Sequence, residues 1–171
     1  MTVPLVAAVL EGMTQIGVLV GNPRPASRTL QAALALREAL ASTLGVPVDG
    51  PVIEAATLAP AVFTEPDTIK AALATLGQAD VLVVATPTYK AAYTGLLKAV
   101  LDQAPPGWLK GKVVVPLQIA ASDKHALAVE VHLRPVLAEL GALVPQALFL
   151  NEAALPADAA DFDLDALKVL R

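Results

Sequence analysis

Apolar positions along the chain fall into two kinds of run. Short, nearly unbroken apolar stretches at Thr14–Val20, Asp80–Ala85 and Lys112–Ile119 show no two-residue alternation. They read as strands buried on both faces. Longer Ala/Leu-rich stretches at Leu30–Leu44, Thr68–Leu76, Gly95–Gln103 and His125–Leu140 read as helices. Pro51–Leu58, with Val52, Ile53 and Ala55 apolar, predicts a short second strand, Ala147–Leu150 a fifth, and Asp163–Leu170 a short final helix. Gly45 with Pro47, then Pro105, Pro106 and Gly107, then Gly141 end the helices before them. Ala59–Asp67 reads as a loop, with Asp67 as N-cap of the next helix. Pro135 falls inside the last long helix. It has no N–H for the carbonyl of Val131, so the pattern predicts a kink or bulge there.

Strands that alternate with helices make a parallel sheet covered on both faces. Five strands in this length fit a flavodoxin-like, doubly wound α/β sheet of order 2-1-3-4-5. In such sheets ligands bind outside the carboxyl ends of the strands, where the strand order reverses. Three loops are placed there: Gly21–Thr29, Thr86–Tyr93 and Ala120–Lys124. Residues 13–171 read as a single domain. Residues 1–12 read as an N-terminal extension or an added edge strand. The apolar run Val3–Leu10 is too short to span a bilayer, and no basic residue precedes it as in a signal peptide.

Composition narrows the chemistry. Over 171 residues, 56% hydrophobic, there is enough apolar material for a doubly covered sheet. A formal charge of −4 argues against a nucleic-acid surface. With no cysteine, disulfides, thiol catalysis and cysteine metal sites are excluded, and two histidines, His125 and His132, make a poor metal set.

The first loop reads Gly21-Asn22-Pro23-Arg24-Pro25-Ala26-Ser27-Arg28-Thr29, between a strand and a helix start. The first-turn N–H groups of that helix lack internal partners, and its dipole favours an anion. Ser27 and Thr29 add hydroxyls, Arg24 and Arg28 charge, and Gly21 allows a sharp turn or a close ligand. The loop is neither a Walker A sequence nor a Gly-x-Gly-x-x-Gly turn. A terminal phosphate, as in FMN, suits it better than a pyrophosphate; an ordinary helix cap at Ser27 is the alternative. In the second loop, Ala85-Thr86-Pro87-Thr88-Tyr89-Lys90-Ala91-Ala92-Tyr93-Thr94-Gly95, small residues and amides can line the edge of a flat ring. Tyr89 and Tyr93 can pack beside the ring and Lys90 can neutralise charge. The alternative is a solvated Lys90, tyrosines at a surface or subunit contact, and Tyr93 as a helix cap.

With these two motifs, and with Leu133-Arg134-Pro135-Val136-Leu137, the sequence resembles the NAD(P)H-dependent FMN reductases of the flavodoxin-like superfamily. The resemblance runs from about Met13 to Leu150. It is closest to the branch that supplies reduced flavin to sulfonate-cleaving monooxygenases. It implies FMN as cofactor, NADPH or NADH as reductant, and no catalytic side chain or metal. Arg24, Ser27 and Thr29, with Asn22 and Arg28 beside them, would hold the phosphate. Pro87, Thr88, Tyr89 and Lys90 would border the ring, and Ala121 and Ser122 would meet its pyrimidine edge. The third loop departs from the family pattern: Ala120-Ala121-Ser122 stands where a Gly-Gly pair precedes Ser or Thr. In the sulfonate branch the helix matching His125–Leu140 forms a subunit contact and carries a Tyr near a bulge; here Val131, followed by His132, takes that place. His125 and His132 read as structural, capping or interface residues.

A homodimer or homotetramer is expected. The resemblance implies one, and Leu96, Leu97, Val100, Trp108, Val131 and Leu133 look like more apolar residues than two helices need. A flavin-dependent monooxygenase is the implied partner, with neither nucleic acid nor membrane, in the cytoplasm. Two other uses of the scaffold stay open: a quinone or azo-compound reductase with tightly held FMN, and a flavin-free binding or assembly module.

Overall fold

The computed structural model describes residues 15–155 and 157–168. The predicted extension at residues 1–12 and the end of the predicted final helix lie outside them. Five parallel strands form one sheet in the order β2-β1-β3-β4-β5, as the alternation predicts. They are β1 (Ile16–Val20), β2 (Val52–Glu54), β3 (Val81–Pro87), β4 (Val113–Ala120) and β5 (Leu148–Asn151). Every residue of β1, β3 and β4 is buried, which is why their sequences are almost wholly apolar, Thr86 and Gln118 being the polar residues among them.

Helix α1 (Arg28–Leu44) covers one face of the sheet. Its small Ala32, Ala33 and Ala39 let Leu36 and Leu40 pack against Val18, Val83 and Val115. On the other face, α4 (Gly95–Leu101) and α5 (Arg134–Glu139) bring Leu97, Leu101 and Leu137 onto Leu19, Leu82 and Val84. A smaller cluster joins α2 (Ala55–Leu58) and α3 (Pro66–Leu76). The single tryptophan, Trp108, is partly buried at its margin and donates its indole N–H to the carbonyl of Leu73 at 3.0 Å. Helix α6 (Asp165–Lys168) closes the described chain.

Several elements differ from the sequence reading. The second strand stops at Glu54, because Ala55 to Leu58 turn helical and bury Ala55 and Leu58 in the third cluster. Helix α3 starts two residues early: Glu65 is the N-cap, Pro66 takes the first turn, and Asp67 lies inside it. The long helix predicted over His125–Leu140 is three pieces. A 3₁₀ turn (Asp123–His125) is followed by a π turn (Val129–Leu133), in which the N–H of Arg134 reaches Val129, and then by α5. The π turn is the bulge expected upstream of Pro135. Leu97, Val100 and Leu133 are fully buried within the chain, so they form no apolar surplus. Val131 is 57% exposed, and Leu127, which the pattern did not single out, 71%.

Candidate functional site

The carboxyl ends of β1 and β3 carry a cavity of about 520 Å³. The first loop and the start of α1 supply its polar wall: Asn22, Arg24, Ser27, Arg28 and Thr29, with Pro25 and Ala26. Pro87, Tyr89 and Ile119 add apolar lining from the ends of β3 and β4, and Leu155 and Glu152 join it from the segment after β5. Seven of the sequence-selected residues therefore share one cavity.

The polar wall is pre-formed by its own hydrogen bonds. The buried amide of Asn22 donates to the Thr29 hydroxyl at 3.0 Å and accepts the N–H of Arg24 at 2.9 Å. This folds the loop back over the helix start. Ser27 is the N-cap: its hydroxyl oxygen accepts the N–H of Leu30 at 3.2 Å, and its hydroxyl proton is still able to donate. No acidic residue occupies the first turn of α1. No side chain of the helix itself therefore offsets the positive end of its dipole, which lies beside Arg24 and Arg28. The phosphate-type site and the plain Ser27 cap are thus compatible, because the serine oxygen serves the cap and its proton is left free to donate.

Four selected residues are not in the cavity lining. Thr88 is bonded to β4 instead: its N–H reaches the carbonyl of Ile119 at 2.7 Å, and its hydroxyl accepts from Gln118 at 2.9 Å. Lys90 is exposed at the tip of a tight hairpin in which Tyr89 and Ala92 exchange N–H and carbonyl bonds at 2.9 and 3.2 Å. Both tip residues, Lys90 (φ 52) and Ala91 (φ 66), take the left-handed conformation, which costs a non-glycine residue about 1 kcal/mol or more. Ala121 is exposed beyond β4, and Ser122 caps the 3₁₀ turn by accepting from Lys124 at 3.3 Å. Neither Ala120 nor Ala121 has a positive φ, so this loop does not need glycine. Tyr93 packs partly buried against the second core cluster instead of capping α4.

Several residues at the site escape the sequence patterns. Thr94, not Tyr93, caps α4: its hydroxyl accepts the N–H of Leu97 at 3.1 Å and donates to the carbonyl of Gly21 at 2.5 Å. Its own N–H reaches Thr86 at 3.2 Å. One buried threonine therefore ties the first loop to the second. A threonine directly before a helix start was the legible signal. Gly21 is required by packing, since a Cβ there would lie 2.7 Å from that of Leu97. Gln118, wholly buried, leaves its Oε1 without a partner among the described residues. Glu152 forms an ion pair with Arg28 at 3.5 Å, and Glu54 accepts the N–H of Ala26 at 2.9 Å. Among the described residues no group of His, Asp and Glu could hold a metal ion.

A strand-loop-helix anion cradle that shares a cavity with apolar residues at the switch of strand order is the geometry of a nucleotide-type ligand site. The family model for NADPH-dependent FMN reductases matches residues 14–154. The chain belongs to that family. It is 34% identical over 154 residues to the NADH-dependent FMN reductase SfnF of Pseudomonas fluorescens (strain Pf0-1), covering 84% of this chain and 77% of the relative. A match to an FMN reductase (NADPH) of Escherichia coli (strain K12) is 55% identical over 67 residues, but spans only 39% of this chain and 35% of that relative. Among solved structures, the apo form of an NADH:FMN oxidoreductase (EMOB) superposes with a TM-score of 0.72 at 36% identity, covering 92% of this chain and 84% of the other.

Proposed function

We infer that this family member reduces FMN with NADPH or NADH. The observation that carries the reading is the cavity itself, where an anion cradle and apolar residues line one space. The residues fit the group. Ser27, Arg24 and the first-turn amides of α1 suit a terminal phosphate, and Pro87, Tyr89 and Ile119 suit one face of a flat ring. When bound, FMN supplies the redox chemistry, accepting a hydride from the nicotinamide and passing electrons on to an acceptor. The chain's own residues bind and orient. Asn22 holds the loop in its donor-outward shape, Thr94 fixes the distance between the loops, and Pro87 stiffens the end of β3. No side chain has to act as acid, base or nucleophile, which accords with a chain free of cysteine.

The names of the relatives support the nicotinamide–flavin pairing, and an SfnF relative supports placement in a sulfonate-type system with a flavin-dependent monooxygenase as acceptor. The cytoplasm, which holds the reduced nicotinamide pool, is the matching compartment. No helix among the described residues is long and apolar enough to cross a membrane. The test is NADPH and NADH oxidation by the purified protein with added FMN. Turnover that depends on FMN is expected; no oxidation above background with either nucleotide overturns the reading.

A further inference from the structure

Two carboxylates from different elements reach the anion cradle. Glu54, the last residue of β2, uses Oε2 to accept the N–H of Ala26 at 2.9 Å. Glu152, just beyond β5, lines the cavity and pairs with Arg28 at 3.5 Å; both side chains of that pair are partly solvated, at 39% and 62% exposure. Glu152 therefore engages Arg28, a donor in the cavity wall that an incoming phosphate would otherwise take, while Glu54 places a second negative charge against the loop from outside the lining. Like charges at this range repel in a site only partly open to water. Both also hold the loop: the Glu54 bond spans 28 residues of sequence and fixes Ala26, whose φ is 49.

We propose that Glu54 and Glu152 set the selectivity of this site for the flavin phosphate, lowering its preference for FMN over riboflavin below what the cradle's donors alone would give. The proposal rests on the flavin reading above. Arg24, Ser27 and the α1 amides attract the phosphate, while the two carboxylates oppose it, so the phosphate adds a reduced net share of the affinity. Riboflavin has the same ring and no phosphate, and is blind to both effects.

The experiment is titration of the full-length protein with FMN and with riboflavin, followed by quenching of flavin fluorescence, for wild type, Glu54→Gln, Glu152→Gln and the double variant. Glutamine keeps an acceptor for the Ala26 N–H and removes only the charge. The FMN dissociation constant is expected to fall about threefold in each single variant and about tenfold in the double variant, with riboflavin unchanged within about twofold. Parallel shifts for both flavins would mean that the carboxylates act only through loop shape, and would overturn the proposal. Flavin binding with an unchanged FMN-to-riboflavin ratio overturns it too, and leaves the flavin site standing. Failure of every form to bind either flavin removes the flavin reading and this inference with it.

Discussion

Thr94 joins two backbone segments through its side chain, with bonds to Gly21 and Leu97, while its own N–H reaches the Thr86 hydroxyl. Replacing it by valine keeps the shape but removes the cap and leaves the buried Gly21 carbonyl without this donor. Losing a cap costs about 1 kcal/mol, and an unsatisfied buried acceptor about 1–3 kcal/mol. Thr94→Val should lower unfolding free energy by about 2–3 kcal/mol in urea titration, and Thr94→Ser should recover most of it. A loss below about 0.5 kcal/mol would show that the hydroxyl is not what joins the loops. At the cradle, Arg24→Ala with Ser27→Ala should weaken FMN by about tenfold or more, because charge-assisted hydrogen bonds contribute about 1.5–3 kcal/mol each. Riboflavin should be affected far less; equal losses would mean the loop does not hold the phosphate. Asn22, Arg24, Ser27, Arg28 and Thr29 were legible in sequence because they are contiguous, between an apolar run and an Ala/Leu-rich one. Glu54, Glu152 and Gln118 were not, since each comes to the site only through strand order and has no local pattern of its own.

At the level of elements, legibility followed burial. The runs that became β1, β3 and β4 carry an unambiguous apolar signal because both of their faces are covered. The second strand ran on too far on paper because Ala-Ala-Thr-Leu is apolar enough for a strand, yet it is recruited as a helical turn by the third core cluster. Proline chemistry made the π turn visible at Pro135. The break around Leu127, by contrast, has neither glycine nor proline to announce it. The end of β4 gives a further test of the family pattern. Ala120 is 3% exposed, Ala121 follows it with no positive φ, and neither lines the cavity. Restoring glycine at both positions should therefore cost about 0.5–1 kcal/mol of stability per site through added chain freedom. FMN affinity should stay within about twofold. A clear gain in affinity would show that the two methyl groups crowd the flavin.

Across the whole molecule, the question is what the π turn faces. Leu127 and Val131 expose apolar surface on the same segment, at and just before the π turn. Closed symmetric pairing is the usual way for such a patch to be covered. A dimer, or a dimer of dimers, built on this segment should appear in light scattering at micromolar concentration. Val131→Glu should shift it to the monomer mass and weaken FMN binding in parallel. A monomeric wild type refutes the assembly, and dissociation with FMN binding intact removes its link to the cavity. The position of Trp108 has an optical consequence. It is the chain's one indole, so near-ultraviolet emission on selective excitation has a single origin. It stands just before β4, whereas the cavity opens beyond the far end of that strand, eight residues and roughly 25 Å away. Its emission colour therefore reports loosening at the amino end of the sheet, where the indole N–H holds the Leu73 carbonyl. Flavin titration reports the opposite end, and the two signals can show whether the molecule opens from one end or melts as a unit.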